Sequence, residues 1–235
     1  MPRRLLYQEH FTDMERINFK GSNYFNIMLS LYQSLNLLKN KGFKVAWYKW
    51  VPNLKALEKL SKSIKYPIVL KVSSPEISHK TELGLVATSI KSTRELRKKF
   101  LEFKGKLKEL GIKRAKILVQ EQVEGVEVII GAKEDKTFGK ILMFGLGGIF
   151  VEIFRDVSFR VCPIDKEEAL RMIQELKSKE LLLGFRGFKV NLEELLELMS
   201  KISNFVIKED VKELDLNPVI VNTNGAYIVD ARILI

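Results

Sequence analysis

Five strand-like segments follow one another between Lys116 and Ile164 with only short connections: KILVQEQV (116–123), VEVIIGAK (126–133), KILMFG (140–145), IFVEIFR (149–155) and FRVCPI (159–164). Strands joined by a few residues pair antiparallel, because a parallel return needs a crossover of about a dozen residues or more. ELDLNPVIVN (213–222) and AYIVDARI (226–233), joined through Thr223-Asn224-Gly225, repeat the pattern at the end of the chain. Earlier, KVAWYKWV (44–51), YPIVLKVSS (66–74) and LVATSIK (85–91) read as strands. Helical spacing places Ile27, Leu31, Leu35 and Leu38 on one face of a helix from Asn23 to Lys41. Asn53 caps a second helix, and Ser92 with Glu95 forms a capping box for a long basic helix ending near Leu110. Two more helices are expected over 166–178 and 191–206, the latter capped by Asn191. The pattern is α+β: largely antiparallel sheets, helices on one side, in two lobes sharing a cleft. Residues 1–21 read as an arm, 22–115 as the first lobe and 116–235 as the second.

Composition narrows the function classes. No stretch approaches the ~18–20 apolar residues of a membrane span, so a soluble, cytoplasmic protein is expected. One cysteine, Cys162, leaves no internal disulfide and no multi-cysteine zinc site; in an apolar run without a nearby histidine it reads as core filler. The formal charge of +11 invites a nucleic-acid reading, yet much of the excess is lysine scattered on helices, as in 94–116, where it alternates with Leu and Phe. Enrichment in Lys and Glu with only five Gln is a thermophile-like composition. A basic surface equally attracts ATP or an acidic partner.

The terminal hairpin is a candidate metal site. Residues two apart on a strand share a face, so Asp215 and Asn217 point one way and Leu214 and Leu216 the other. A two-residue turn at Asn224-Gly225 would set Val219 opposite Asp230 and Asn217 opposite Arg232, bringing Asp230 diagonal to Asn217. Carboxylate and amide oxygens on rigid strands suit Mg²⁺, which keeps waters and takes phosphate ligands. The plain alternative is an edge hairpin with a polar face.

Four further segments carry chemistry of lower specificity. Lys71, inside the apolar strand Val69–Val72, either snorkels outward or meets an anion. His79, one of two histidines, lies in the loop PEISHKTELG (75–84) among Ser and Thr hydroxyls; imidazole accepts phosphoryl groups near neutral pH, although a lone loop histidine is usually inert. Gly145-Leu-Gly147-Gly148 links two strands and permits either close ligand approach or a tight hairpin. QEQVEGVEV (120–128) combines a strand end with a short turn and offers Glu121 and the Val123 backbone as an adenine-reading hinge, a reading the residues alone do not favour over an ordinary turn.

Four stretches, 66–84, 117–139, 141–164 and 212–233, resemble in order the ATP-grasp (beta) subunit of ADP-forming acetate–CoA ligase, the archaeal-type acetyl-CoA synthetase, over roughly residues 40–235. That resemblance implies an ATP-grasp fold with ATP or ADP and Mg²⁺ between two α+β lobes. It implies phosphoryl transfer through phosphohistidine, and a CoA-binding alpha subunit as partner in an α2β2 assembly. By the same resemblance His79 is the phosphohistidine, Asp215 the acid that orients it, Asn217 and Asp230 the magnesium ligands, and Lys71 the phosphate lysine. Glu121 and Val123 fall on the adenine hinge, Glu127 near the ribose, and Gly147 and Gly148 in the glycine loop. The family's second glycine after Gly84 is Leu85 here, and the segment around Lys49 diverges. Two other readings compete: an ATP-grasp ligase joining a carboxylate to an amine without phosphohistidine, and a basic nucleic-acid-binding module.

Overall fold

The computed structural model describes residues 27–77, 83–148, 155–184 and 189–235. Its chain order is β1 (Met28–Leu29), α1 (Leu31–Asn40), β2 (Tyr48–Trp50), α2 (Leu54–Ser61), β3 (Ile68–Ser73), β4 (Val86–Ile90), α3 (Thr93–Glu109), β5 (Lys116–Glu121), β6 (Val126–Asp135), β7 (Gly139–Leu146), β8 (Val157–Val161), α4 (Lys166–Gln174), α5 (Glu180–Leu183), α6 (Leu192–Lys208), β9 (Glu213–Asn222), β10 (Gly225–Ile228) and β11 (Arg232–Leu234).

Two antiparallel sheets result. The smaller runs β2-β5-β3-β4; the larger runs β1-β11-β9-β6-β7-β8, with β10 also on β9. Each has its own core. In the smaller, Leu70, Val72, Ile117 and Val119 meet Leu57 and Leu60 of α2 and Leu96, Phe100 and Phe103 of α3. In the larger, Val128, Ile130, Leu142, Phe144, Leu214 and Leu216 meet Met172 of α4 and Leu195, Met199 and Ile202 of α6. Leu31, Leu35 and Leu38 of α1 join the larger core and β1 pairs with β11, so residues 28–40 pack with the second lobe although the sequence groups them with the first, while β5 belongs to the smaller sheet of the first lobe although the sequence groups it with the second. Fully burying a leucine such as Leu35 or Leu38 contributes about 1.5–3 kcal/mol, which fixes α1 to that lobe.

Local chemistry explains where the elements start and stop. Helix α1 begins at Leu31, later than the periodicity suggests, because Ser30 and Gln33 form a complete capping box. At Ser92 only half of the expected box forms: its hydroxyl accepts from Glu95 N at 3.2 Å, while the Glu95 carboxylate accepts from Lys91 N at 3.0 Å. The segment 44–51 splits its pairing. Ala46 N donates to Ile228 O at 3.0 Å on the larger sheet, and only Tyr48–Trp50 forms a strand, on the smaller. The segment therefore stitches the two sheets together. Gly125, at the turn before β6, lies against β9: a Cβ there would stand 2.4 Å from Val221 O, so only glycine permits this close approach. The expected strand 149–155 lies almost wholly outside the described residues. Cys162 is half-buried against the larger core, and burial pushes its thiol up to about 12, which suits core filler.

Helix α4 stops at Gln174, short of the expected 178, because the buried Asp156 carboxylate accepts from Lys177 N at 2.9 Å and Ser178 N at 2.8 Å, and from the Ser178 hydroxyl. Desolvation pushes this carboxyl up, but the Ser178 side-chain bond and the two backbone bonds outweigh it and hold it below its ordinary value. A depressed folded-state value gives stability that is present above the unfolded carboxylate range, about pH 4, and lost as pH falls through the folded value. Asp156→Ala is expected to cost about 1–3 kcal/mol at neutral pH, since it strands buried donors. Thermal melts should show the gap to wild type narrowing towards about pH 2.

Candidate nucleotide site at the joint of two sheets

Lys71 is set by strand alternation. Its neighbours Leu70 and Val72 fill the smaller core, so Lys71 emerges on the opposite face, towards the larger sheet. Beside it on β5, Leu118 pairs with Lys71 and Gln120 with Val69, which puts Gln120 on that same face. The Lys71 ammonium donates to Val229 O at 2.9 Å and stands 3.6 Å from Asp230 Oδ2. Gln120 Nε2 donates to the same Val229 carbonyl at 3.0 Å. The lysine is 7% exposed, so its charge is held in the joint and not snorkelled to solvent.

On the larger sheet, Leu214 and Leu216 enter the core, while Asp215 is half-buried and Asn217 exposed, as alternation requires. The hairpin register differs from the expected one. Asn222 pairs with Gly225 and Val219 with Ile228, and the ladder resumes with Asp215 opposite Arg232. The turn is therefore Thr223-Asn224, not Asn224-Gly225. Asn222 Oδ1 accepts from Asn224 N at 2.9 Å and closes it, as asparagine does in Asx turns. Gly225, at φ 139, opens the returning strand where a Cβ would stand 2.3 Å from Lys44 Nζ. The shift is two residues, an even number, so the turn by itself moves no side chain to the other face.

A β-bulge adds a feature that the sequence does not signal. Val219 pairs with Val128 and Leu216 with Ile130, so β9 carries one extra residue at 217–218. Beyond it the alternation inverts, and Ile220 forms a small buried cluster with Ala46 and Val229, against which Val123 packs. The positions expected at an adenine hinge thus border an apolar floor built from both lobes. The Glu121 carboxylate accepts from Trp47 N at 2.6 Å, and Glu121 N donates to Trp47 O at 2.9 Å, so this side chain holds the hinge backbone. Glu127 is exposed and pairs with Ile220, on the same side as that floor. Gly147 N donates to Glu127 O at 2.8 Å, and a Cβ on Gly147 would lie 2.9 Å from Glu127 Cβ. Gly148 has φ +62, in the left-handed region that favours glycine. Gly131, paired with Asp215, places no side chain beside that carboxylate.

His79 lies outside the described residues, 78–82 being excluded. Both roots of its loop are anchored, one to α1 of the larger lobe and one within the smaller lobe. Ser73 and Ser74, which lead into the loop, are buried and engaged: Ser73 Oγ accepts from Tyr32 N at 2.8 Å and Ser74 Oγ from Glu76 N at 3.1 Å. On the exit side, Lys106 Nζ donates to Gly84 O at 3.2 Å, and Leu85, at the family's glycine position, is fully buried in the smaller core.

The donor set fits a hard cation completed by phosphate. Among the described residues, no three His, Cys, Asp or Glu side chains converge as a self-sufficient metal site. Asp230 supplies a carboxylate beside the buried Lys71 ammonium, and Asp215 and Asn217 leave the larger core on the outward side of β9; carboxylate and amide oxygens of this kind suit an ion that takes its other ligands from a nucleotide and water. Two surface cavities among the described residues, of about 520 and about 390 Å³, lie elsewhere, and Lys71 lines neither.

The ATP-grasp domain profile matches residues 26–235. The beta subunit of acetate–CoA ligase (ADP-forming) II from Pyrococcus furiosus is 39% identical over 216 residues, covering 87% of this chain and 90% of that one. The chain belongs to the ATP-grasp family of ADP-forming acetate–CoA ligase beta subunits. Acetate–CoA ligase (ADP-forming) II from Archaeoglobus fulgidus is 38% identical over 210 residues, 89% of this chain, and this chain spans only 30% of that protein's length. Among solved structures, the dinucleotide-forming acetyl-coenzyme A synthetase 1 of Ca. Korarchaeum cryptofilum, in complex with coenzyme A, Ca-AMPCP and HgCl⁺, matches with a TM-score of 0.82 at 35% identity over 100% of both chains. The same enzyme with coenzyme A and Mg-AMPPCP, its phosphohistidine segment pointing towards the nucleotide binding site, matches at 0.74 and 38% identity, over 88% of this chain and 92% of that one.

In this ATP-grasp chain the structure brings Lys71 and Asp230 together at the joint between the sheets. Four contributors escaped the sequence reading. Gln120, Ala46 and Ile220 depend on tertiary placement and have no local signature. Gly131 had one: a glycine inside an apolar strand is a cue for close backbone or ligand approach.

Proposed function

We propose that this chain is the nucleotide-binding component of an ADP-forming acyl-CoA synthetase and relays a phosphoryl group between ATP and His79. The observation that carries the reading is Lys71, a buried cation of one sheet, resting on Val229 and Asp230 of the other. The adenine sits between the two lobes on the Ala46–Ile220–Val229 floor, read by main chain around Glu121 and Val123. Glu127 meets the ribose, and Gly147 and Gly148 let backbone approach the phosphates. Lys71 exchanges its carbonyl partner for phosphate oxygens.

The His79 ring nitrogen donates its lone pair to the γ-phosphorus. The bond from that phosphorus to the bridging oxygen breaks, and its electron pair leaves on ADP. Asp215 accepts a hydrogen bond from the N–H of the other ring nitrogen and so fixes the tautomer and stabilises the charged ring. Asn217 and Asp230 would hold Mg²⁺, which would supply charge neutralisation for the phosphates. A CoA-binding partner subunit exchanges the phosphoryl group with the acyl phosphate, an α2β2 assembly being the expected form. Archaeal relatives and the Lys- and Glu-rich composition favour a thermophilic, cytoplasmic enzyme. Among the described residues, no helix is long and apolar enough to cross a membrane.

The test is calorimetric. ADP should bind the purified chain far more tightly with Mg²⁺ than without it, and Asp230→Asn should weaken Mg²⁺-dependent binding about 10-fold or more. Equal ADP affinity in wild type and variant at every Mg²⁺ concentration would remove Asp230 from the metal site. Acyl-CoA formation should require added CoA-binding subunit; synthesis by this chain alone would contradict the division of labour.

A further inference from the structure

Gln120 is 2% exposed and takes no part in the chemistry described so far. Its amide reaches across the joint to Val229 O, the carbonyl that also receives Lys71. We infer that Gln120 is a positioning residue that holds the Val229–Asp230 peptide against the smaller sheet while Lys71 changes partner. This rests on the nucleotide-binding reading.

The argument starts from the backbone of the Asp230 segment. Strand β10 ends at Ile228 and β11 begins at Arg232, so Asp230 sits in a break between two ladder-paired stretches. Within that break Val229 N reaches Pro218 O only at 3.4 Å, a long bond. The Val229 carbonyl is then the fixed point for the residue that follows it, and two donors from adjacent strands of the other lobe hold it. Those donors are not equivalent. An ammonium is drawn to phosphate, which is far more anionic than a neutral carbonyl, so Lys71 turns towards the nucleotide. An amide carries no charge and is not drawn away. With Gln120 in place the carbonyl keeps a partner throughout. Without it, nucleotide binding would leave a buried acceptor unpaired and free the Asp230 segment as the metal ligand is needed. Gln120 thereby sets the spacing between the cation on β3 and the carboxylate in the β10–β11 break.

The experiment compares wild type with Gln120→Met, which keeps volume and removes the donor, and with Gln120→Leu in parallel. ADP binding is titrated calorimetrically with and without Mg²⁺, and amide hydrogen exchange is followed over residues 228–232. Both variants are expected to raise the Mg²⁺ concentration for half-maximal ADP binding about 10-fold, the usual effect of losing a residue that orients a metal ligand. ADP affinity without Mg²⁺ should change less than about twofold, and exchange over 228–232 should accelerate most in the nucleotide-bound variants. A purely structural role would weaken binding equally with and without Mg²⁺. That result, or an unchanged Mg²⁺ midpoint, overturns the inference. The wild-type chain gives an independent check: 228–232 should stay protected when Mg²⁺ and ADP bind, and loss of protection there also overturns it. Absence of any ADP binding by wild type would instead remove the functional reading beneath it.

Discussion

Lys71→Met is expected to slow phosphoryl transfer from ATP to the chain by about 10²–10³-fold, the cost of removing one preorganised charge from a transferring phosphoryl group. Methionine matches the stem of lysine and keeps the contact with Leu118 on the adjacent strand, so the packing of the joint is retained. The fold should survive, because the Val229 carbonyl keeps Gln120 as a donor at 3.0 Å. The electrostatic balance changes instead. Asp230 loses the ammonium that stands 3.6 Å away, and the site moves one charge towards repelling a polyphosphate. Rapid-quench measurement of phosphorylated chain, beside a thermal melt, separates the two effects. A rate within about threefold of wild type would show that Lys71 holds the lobes together and nothing more, since losing a transition-state contact costs far more.

His79→Ala is expected to abolish covalent phosphorylation altogether while leaving Mg²⁺-dependent ADP binding within about twofold of wild type. The distinction follows from chemistry: the imidazole is the acceptor, and the nucleotide is held by other groups. Stability should change little, because the loop roots are fixed independently, by the Tyr32–Ser73 bond on one side and the Lys106–Gly84 bond with buried Leu85 on the other. Full ligase activity in this variant would favour an ATP-grasp enzyme that forms acyl phosphate directly.

The antiparallel architecture was legible because strand period and turn residues are local signals, and the same holds for the caps at Asn53, Ser92 and Asn191. The facing of Asp215 away from Leu214 and Leu216 was also legible, since it follows from alternation alone. The hairpin register was not. Choosing between Thr223-Asn224 and Asn224-Gly225 depends on the Asn222 side chain closing the turn, and both sequences suit a tight hairpin. That error did no harm, being even. The bulge at 217–218 was invisible because β6, not β9 alone, defines it. Gln120 was equally hidden: its partner lies 109 residues away, and a single glutamine in an apolar strand has no periodic signature. The start of α1 was missed although Ser30-x-x-Gln33 announces it, because the apolar spacing continued upstream to Ile27 and outweighed the cap.

Incubation of the chain with Mg²⁺ and γ-labelled ATP, followed by peptide mapping, measures the covalent step itself. The expected product carries one phosphoryl group, labile in acid and stable in base, on the peptide containing His79. Label that is base-labile, or that maps to a carboxylate or to any other peptide, would contradict the assignment of this histidine as the group that takes phosphate from the nucleotide.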